Sequence, residues 1–200
     1  MAKQIVIIHG GSAQNSYEEY VERLRTREVT IDDFKKHKGW KDFIVSELGN
    51  DWEMLTPEMP SKKNAKYLEW KIWFERMLPF IEDGAVFIGH SLGGLFLAKY
   101  LSEETYPKSI RATILVAAPY NTLTEHPRAD FNITKPLRGL EEQGGEVFLY
   151  HSPDDTVVPL SNFEHYRNDL PGAHAIVLEG RGHFNEPTFP ELVEKILEMD

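Results

Sequence analysis

Phe87-Ile88-Gly89-His90-Ser91-Leu92-Gly93-Gly94 is the stretch on which the fold turns. The apolar run Ala85-Val86-Phe87-Ile88 before the serine reads as a strand buried on both faces. Leu92, Leu95, Phe96 and Leu101 follow at roughly helical spacing. Between strand and helix stands Gly89-x-Ser91-x-Gly93, the pattern of a nucleophile elbow. A serine on so tight a turn sits in strained backbone geometry with its neighbours pressed close, and glycines at 89 and 93 remove the side chains that would collide. The serine oxygen then stands clear at the carboxyl edge of a sheet, in front of the free N–H groups of a helix N-terminus.

Working outward, strands and helices alternate along the chain. Strands are predicted at Gln4 to Ile8, Trp52 to Leu55, Ala112 to Ala118, Val147 to Tyr150 and Ala175 to Leu178, besides the one before the elbow. Helices are predicted from Trp40 to a stop at Gly49-Asn50, over 65–81 ahead of Asp83-Gly84, after the elbow, and around Leu137 and Leu140. Ser161 with Glu164, and Thr188 with Glu191, read as capping boxes for the last two. In the 65–81 helix the tryptophans, Met77, Phe80 and Ile81 read as a core stripe, as do Leu192, Val193, Ile196 and Leu197 in the last helix. Ile31 and Phe34 suggest a helix start, and 119–132 a loop with two prolines. Alternation of this kind implies an open parallel sheet with helices on both faces, one α/β domain over residues 1–200.

Composition narrows the function. The chain has 200 residues, 41% of them hydrophobic and 12% aromatic, as in a globular domain with a sizeable core. A formal charge of −10 argues against nucleic acid or an anionic membrane as partner, since both need a basic surface. With no cysteine, there can be no disulfide, thiolate metal site or cysteine nucleophile. The N-terminus runs into a strand with no signal-peptide pattern, and no apolar run is long enough to span a membrane, so a cytoplasmic location is expected. No His/Asp/Glu spacing suggests a metal site. Nothing in the sequence indicates a protein partner.

In parallel sheets ligands bind beyond the carboxyl ends of the strands. His9, Ser91, Asp155 and His183 all follow predicted strands and share that edge. A serine hydroxyl needs a base to take its proton, usually a histidine held by a carboxylate. The order Ser91, then an acid after the fifth strand, then His183 after the sixth is the order of α/β-hydrolases. Asp155 fits the register Asp-x-Val-Val-Pro, whereas Asp154 suits the turn after Pro153, and Glu179 is the third candidate acid. His90 reads as packing beside the elbow and His151 as a histidine bonded to nearby backbone. His37, His126, His165 and His174 read as surface. His9-Gly10-Gly11 suggests half of an oxyanion hole, with the N–H groups of Gly11 and Leu92 as the donors. A dinucleotide site would need a fuller Gly-x-Gly-x-x-Gly pattern.

On Ile7-Ile8-His9-Gly10-Gly11, Gly89-His90-Ser91-Leu92-Gly93-Gly94, Asp154-Asp155-Thr156-Val157-Val158-Pro159 and Gly182-His183-Phe184, the chain resembles a small serine hydrolase of the α/β-hydrolase superfamily. More narrowly it is similar to the compact retinoblastoma-binding protein 9 and YdeN-like family. The resemblance implies a three-layer sandwich whose six-stranded, mostly parallel sheet has the order 2-1-3-4-5-6. It also implies a cofactor-free triad of Ser91, His183 and Asp155 acting on a small-molecule ester, thioester or similar acyl substrate. Acyl transfer on the same triad and a non-catalytic binding module on a hydrolase scaffold are the alternatives. The Leu-x-Cys-x-Glu motif for binding a pocket protein is missing, because the chain has no cysteine. Residues 12–39 are long for a strand-to-helix loop, where about 2–6 residues is usual. Tyr17, Tyr20, Val21 and Leu24 share one helical face there, so the segment is expected either to form a lid over the site or to lie on the flank of the Trp40 helix.

Overall fold

The computed structural model describes residues 3–35, 39–120 and 129–199. Six strands form one parallel sheet: β1 (Lys3–Ile8), β2 (Trp52–Leu55), β3 (Ala85–His90), β4 (Ile110–Val116), β5 (Glu146–His151) and β6 (His174–Val177). Their order is β2-β1-β3-β4-β5-β6, as the family resemblance implies. Parallel strands covered on both sides alternate their side chains between two cores. Val6, Ile8, Phe87, Leu115 and Leu149 enter one core, and Ile5, Ile7, Val86, Ile114 and Phe148 the other.

The first core is closed by α3 (Tyr67–Met77), α4 (Leu92–Glu103), α5 (Arg138–Gln143) and α6 (Leu160–Asp169), through residues such as Trp70, Phe96, Leu140 and Phe163. The second is closed by α2 (Trp40–Leu48) and α7 (Pro190–Glu198), through Trp40, Ile44, Leu192 and Ile196. The remaining helix, α1 (Tyr17–Thr26), buries none of its residues and belongs to neither layer. It is capped by Ser16, whose Oγ accepts the Glu19 N–H at 3.1 Å.

Several expectations are corrected. The 65–81 segment is helical only to Met77, because Leu78–Phe80 tightens into a 3-10 turn at Pro79. Trp70 and Phe74 are wholly buried, but Trp73 sits at the rim of the stripe at 45% exposure and Phe80 is exposed at 70%. The fourth strand runs from Ile110 to Val116 rather than to Ala118. Ala117 takes φ +47°, which ends the strand while its N–H still reaches Tyr150 O at 2.9 Å. Ser161 and Thr188 do not cap. The helices start instead after Pro159 and at Pro190, where proline's missing N–H costs nothing. Leu197 is half-exposed on the last helix. Ile31–Phe34 makes only a 3-10 turn. Of the predicted 119–132 loop, 121–128 lie outside the described residues. Beyond them Asp130 accepts the Tyr67 N–H at 2.8 Å and so serves the open N-terminus of α3.

Trp70 lies at the centre of its core. Its indole N–H donates to Pro60 O at 2.8 Å, and its ring meets Phe96, Phe131 and His9 edge-on. Trp70→Ala is expected to cost about 3–5 kcal/mol in urea unfolding. Trp73→Ala, at the rim, is expected to cost about 1 kcal/mol or less. Equal losses would contradict the assignment of the core.

Candidate active site

Strand order reverses between β1 and β3, so the chain segments leaving those two strands diverge and open a crevice at the carboxyl edge. The turn after β3 is the elbow. Ser91 has φ +52° and ψ −122°, a conformation costly for any residue with a β-carbon. Close approach dictates both flanking glycines. A β-carbon on Gly89 would lie 2.6 Å from Gly93 O, and one on Gly93 2.3 Å from Ile8 O. The strained turn is held by the Ser91 N–H, which donates to Val116 O at 2.8 Å, and by α4, whose Gly94 and Leu95 N–H groups bond Ser91 O.

Ser91 Oγ lies 3.0 Å from His183 Nε2, and His183 Nδ1 lies 2.8 Å from Asp155 Oδ2. The Asp155 side chain is wholly buried. Its other oxygen, Oδ1, accepts the N–H groups of Val157 and Val158 at 2.8 and 2.9 Å, so both oxygens of the buried carboxylate are hydrogen-bonded. An acceptor-only carboxylate at Nδ1 fixes the proton there and leaves Nε2 free to accept one from Ser91. The two other candidate acids are elsewhere. Asp154 is exposed, takes a hydrogen bond from Ser152 Oγ, and accepts the Gly182 N–H at 3.1 Å. The Ser152 hydroxyl holds its carboxyl below the usual carboxylate range. Glu179 is exposed and meets neither Ser91 nor His183.

The loop carrying His183 is pinned at several points. Ser152 Oγ accepts the Arg181 N–H at 3.1 Å, and the Arg181 guanidinium reaches Glu186 and Glu191 at 2.5 Å each while lying over the Phe189 ring. Phe184, at φ +51°, turns its ring into the second core. His90 Nε2 donates to the backbone carbonyl of His183 at 2.9 Å. Burial, with His183 second, pushes His90 down to about 3, so the ring beside His183 stays neutral. The sequence reading placed His90 beside the elbow but missed that it clamps His183. Its position one residue before the serine was the only signal. His151 Nε2 bonds Val158 O at 2.9 Å, as expected of a backbone-bound histidine. His9 Nε2 accepts the Met59 N–H at 2.8 Å and so ties the end of β1 to the loop after β2. His165 and His174 are exposed, whereas His37 and His126 lie outside the described residues.

The turn after β1 lies against the elbow. A β-carbon on Gly10 would stand 3.2 Å from Ser91 Cβ, and one on Gly11 3.3 Å from Leu92 Cδ2. Leu92 opens α4, so its N–H has no partner within the helix. Ser91 and His183 face a cavity of about 440 Å³, a size suited to a small molecule. Gly10, Gly11 and Val157 line it, together with Tyr20, Arg23 and Leu24 of α1 and with Arg27, the residue that caps that helix. Lys62 and Lys63 line it as well. The sequence reading passed over this doublet, although it follows β2 at the same sheet edge. Among the described residues no group of three or more His, Cys, Asp or Glu could hold a metal, and no helix is long and apolar enough to cross a membrane.

A six-stranded parallel sheet of this order with a serine elbow after its third strand is the α/β-hydrolase fold. Residues 34–192 match the serine hydrolase family, and the chain belongs to it. Among solved structures it is similar to the ydeN gene product of Bacillus subtilis, at 17% identity and a TM-score of 0.77, over 99% of this chain and 98% of the other. It is also similar to a predicted CIB-like hydrolase from Thermoplasma acidophilum, at 17% identity and a TM-score of 0.60, over 98% and 84%. A third is a thioesterase domain from the curacin biosynthetic pathway, at 13% identity and a TM-score of 0.57, over 98% and 91%. At such identities the likeness is one of fold. No curated protein matches the chain in sequence.

Proposed function

We propose that the chain hydrolyses small ester or thioester substrates through an acyl-enzyme on Ser91. Ser91 Oγ attacks the carbonyl carbon while His183 Nε2 takes the hydroxyl proton. The N–H groups of Gly11 and Leu92 stabilise the oxyanion, and His183 returns the proton to the departing alcohol or thiol. Water then repeats the sequence on the acyl-enzyme, with His183 again as base, and releases the acid. Asp155 holds His183 in the required tautomer and stabilises its charged form. The single observation behind this reading is the unbroken series Ser91 Oγ, His183, Asp155, with hydrogen bonds of 3.0 and 2.8 Å, whose Ser91 and His183 line a cavity. Membership of the serine hydrolase family supports it, and so does a fold shared with a thioesterase domain. The test is rapid mixing with p-nitrophenyl esters from acetate to octanoate. Release should show a burst close to one equivalent of enzyme followed by slower turnover. No release from any ester of the panel would end the reading.

We also propose that residues 12–39 act as a partial lid. α1 contributes nothing to either core, yet Tyr20, Arg23, Leu24 and Arg27 border the cavity. Replacing 14–36 by a short Gly/Ser loop should therefore shift KM and chain-length preference several-fold, with little loss of thermal stability. A variant that unfolds, or keeps its substrate profile, would make the segment scaffold.

A further inference from the structure

The protein is acidic overall, with 32 Asp and Glu against 22 Lys and Arg. Its cavity reverses that balance. Among the described residues Arg23, Arg27, Lys62 and Lys63 line it, and no aspartate or glutamate does. Arg27 is paired with Asp33 of the same segment. Among the described residues no carboxylate pairs with Arg23, Lys62 or Lys63. Chance placement on a surface richer in acids would be expected to intersperse the signs, as an ordinary soluble surface does.

The lysines are also held in place by backbone. The Ser12 N–H donates to Lys62 O at 2.8 Å, and the Ala65 N–H to Ser12 O at 2.8 Å, so the turn bearing Lys62 and Lys63 is laced to the Gly11 turn. Ser61 at φ +50° and the Asn64 N–H bonded to Ser61 O at 2.6 Å close that turn tightly. Lys41, at the start of α2, is pushed down to about 8 by burial first and by Lys62 second, with Asp42 opposing, so Lys62 lies close enough to a second cation to repel it. A concave site lined by one sign of charge concentrates ligands of the other.

From this we infer that the substrate carries an anionic group, a carboxylate or a phosphate, seated between Arg23 of α1 and the Lys62-Lys63 turn while its carbonyl lies at Ser91. The inference rests on the hydrolase reading above and adds the class of substrate. The charge can reside on the acyl part, as in a half-ester of a dicarboxylic acid, or on the leaving group, as in a phosphorylated thiol or alcohol.

Four substrates separate these cases: p-nitrophenyl butyrate against p-nitrophenyl hemiglutarate, and butyryl N-acetylcysteamine against butyryl coenzyme A. At low salt at least one anionic member should exceed its neutral counterpart in kcat/KM by about tenfold, three screened contacts each giving a factor of about two. The pair that shows the gain tells which side of the substrate carries the charge. The ratio should collapse towards one in about 1 M salt, where screening extends to about 3 Å. It should collapse likewise in the Arg23→Gln, Lys62→Gln, Lys63→Gln variant. Neutral substrates turned over as well as both anionic ones would overturn the inference and leave the hydrolase standing. So would an anionic preference that survives in the triple variant. If no substrate of the four is turned over and Ser91 does not react with a fluorophosphonate, the hydrolase reading fails and this inference with it.

Discussion

Ser91→Ala is expected to lower kcat by about 10⁴- to 10⁶-fold while leaving far-UV circular dichroism and the unfolding midpoint near those of the unaltered protein. The loss follows from what the hydroxyl does in the proposed reaction. With a methyl group at this position there is no oxygen to bond the acyl carbon, and His183 loses the group whose proton it removes at 3.0 Å. The residual rate would come from water attacking a substrate still held in the cavity and polarised by the Gly11 and Leu92 N–H groups. The fold should survive because alanine keeps the β-carbon, and the bonds that hold the elbow run through the Ser91 backbone, to Val116 O and from the α4 N–H groups. Hydrolysis within tenfold of the unaltered protein would remove Ser91 from the chemistry.

Asp155→Asn is expected to cost about 10⁴-fold in kcat, and Asp154→Asn about tenfold or less. The two acids are neighbours, but their surroundings differ. Asp155 Oδ1 accepts two backbone N–H groups, from Val157 and Val158. An asparagine there must point its amide oxygen at those donors, so its NH₂ group faces His183 Nδ1. A donor at that position forces Nδ1 to accept. The proton moves to Nε2, and the ring can no longer take one from Ser91. Asp154 accepts from Ser152 Oγ and the Gly182 N–H through one oxygen, a role that an asparagine carbonyl fills almost as well. Comparable losses from the two changes, or the reverse order, would show that the acid is misassigned.

The strands and the serine turn were legible in the sequence because each is set by local chemistry, whereas the strand order came from the family resemblance. A β-branched run covered on both faces reads as a buried strand, and glycines on either side of a serine are demanded by backbone contacts of 2.6 and 2.3 Å. The separation of Asp155 from Asp154 was legible through register alone. Its physical cause, the two valine N–H groups that draw the side chain inward, needs the folded turn. Helix ends were read less well. Ser161 and Thr188 have the chemistry of caps, but a neighbouring proline took the start of each helix. Trp73 and Phe80 joined the core stripe on periodicity, and one lies at its rim while the other lies beyond the end of the helix. The clamp of His90 on His183 and the cations lining the cavity join residues far apart in sequence, so local pattern gives only the place of His90 beside the serine.

Reaction with a fluorophosphonate, followed by mass spectrometry of the proteolysed chain, tests the central claim most directly, since it needs no knowledge of the natural substrate. The reagent phosphonylates a serine only where a base has made its oxygen nucleophilic. A single adduct on the peptide containing Ser91 is predicted, with labelling slowed by several orders of magnitude in His183→Ala. An unmodified Ser91 after prolonged exposure, or an adduct that forms equally fast without His183, would contradict the account.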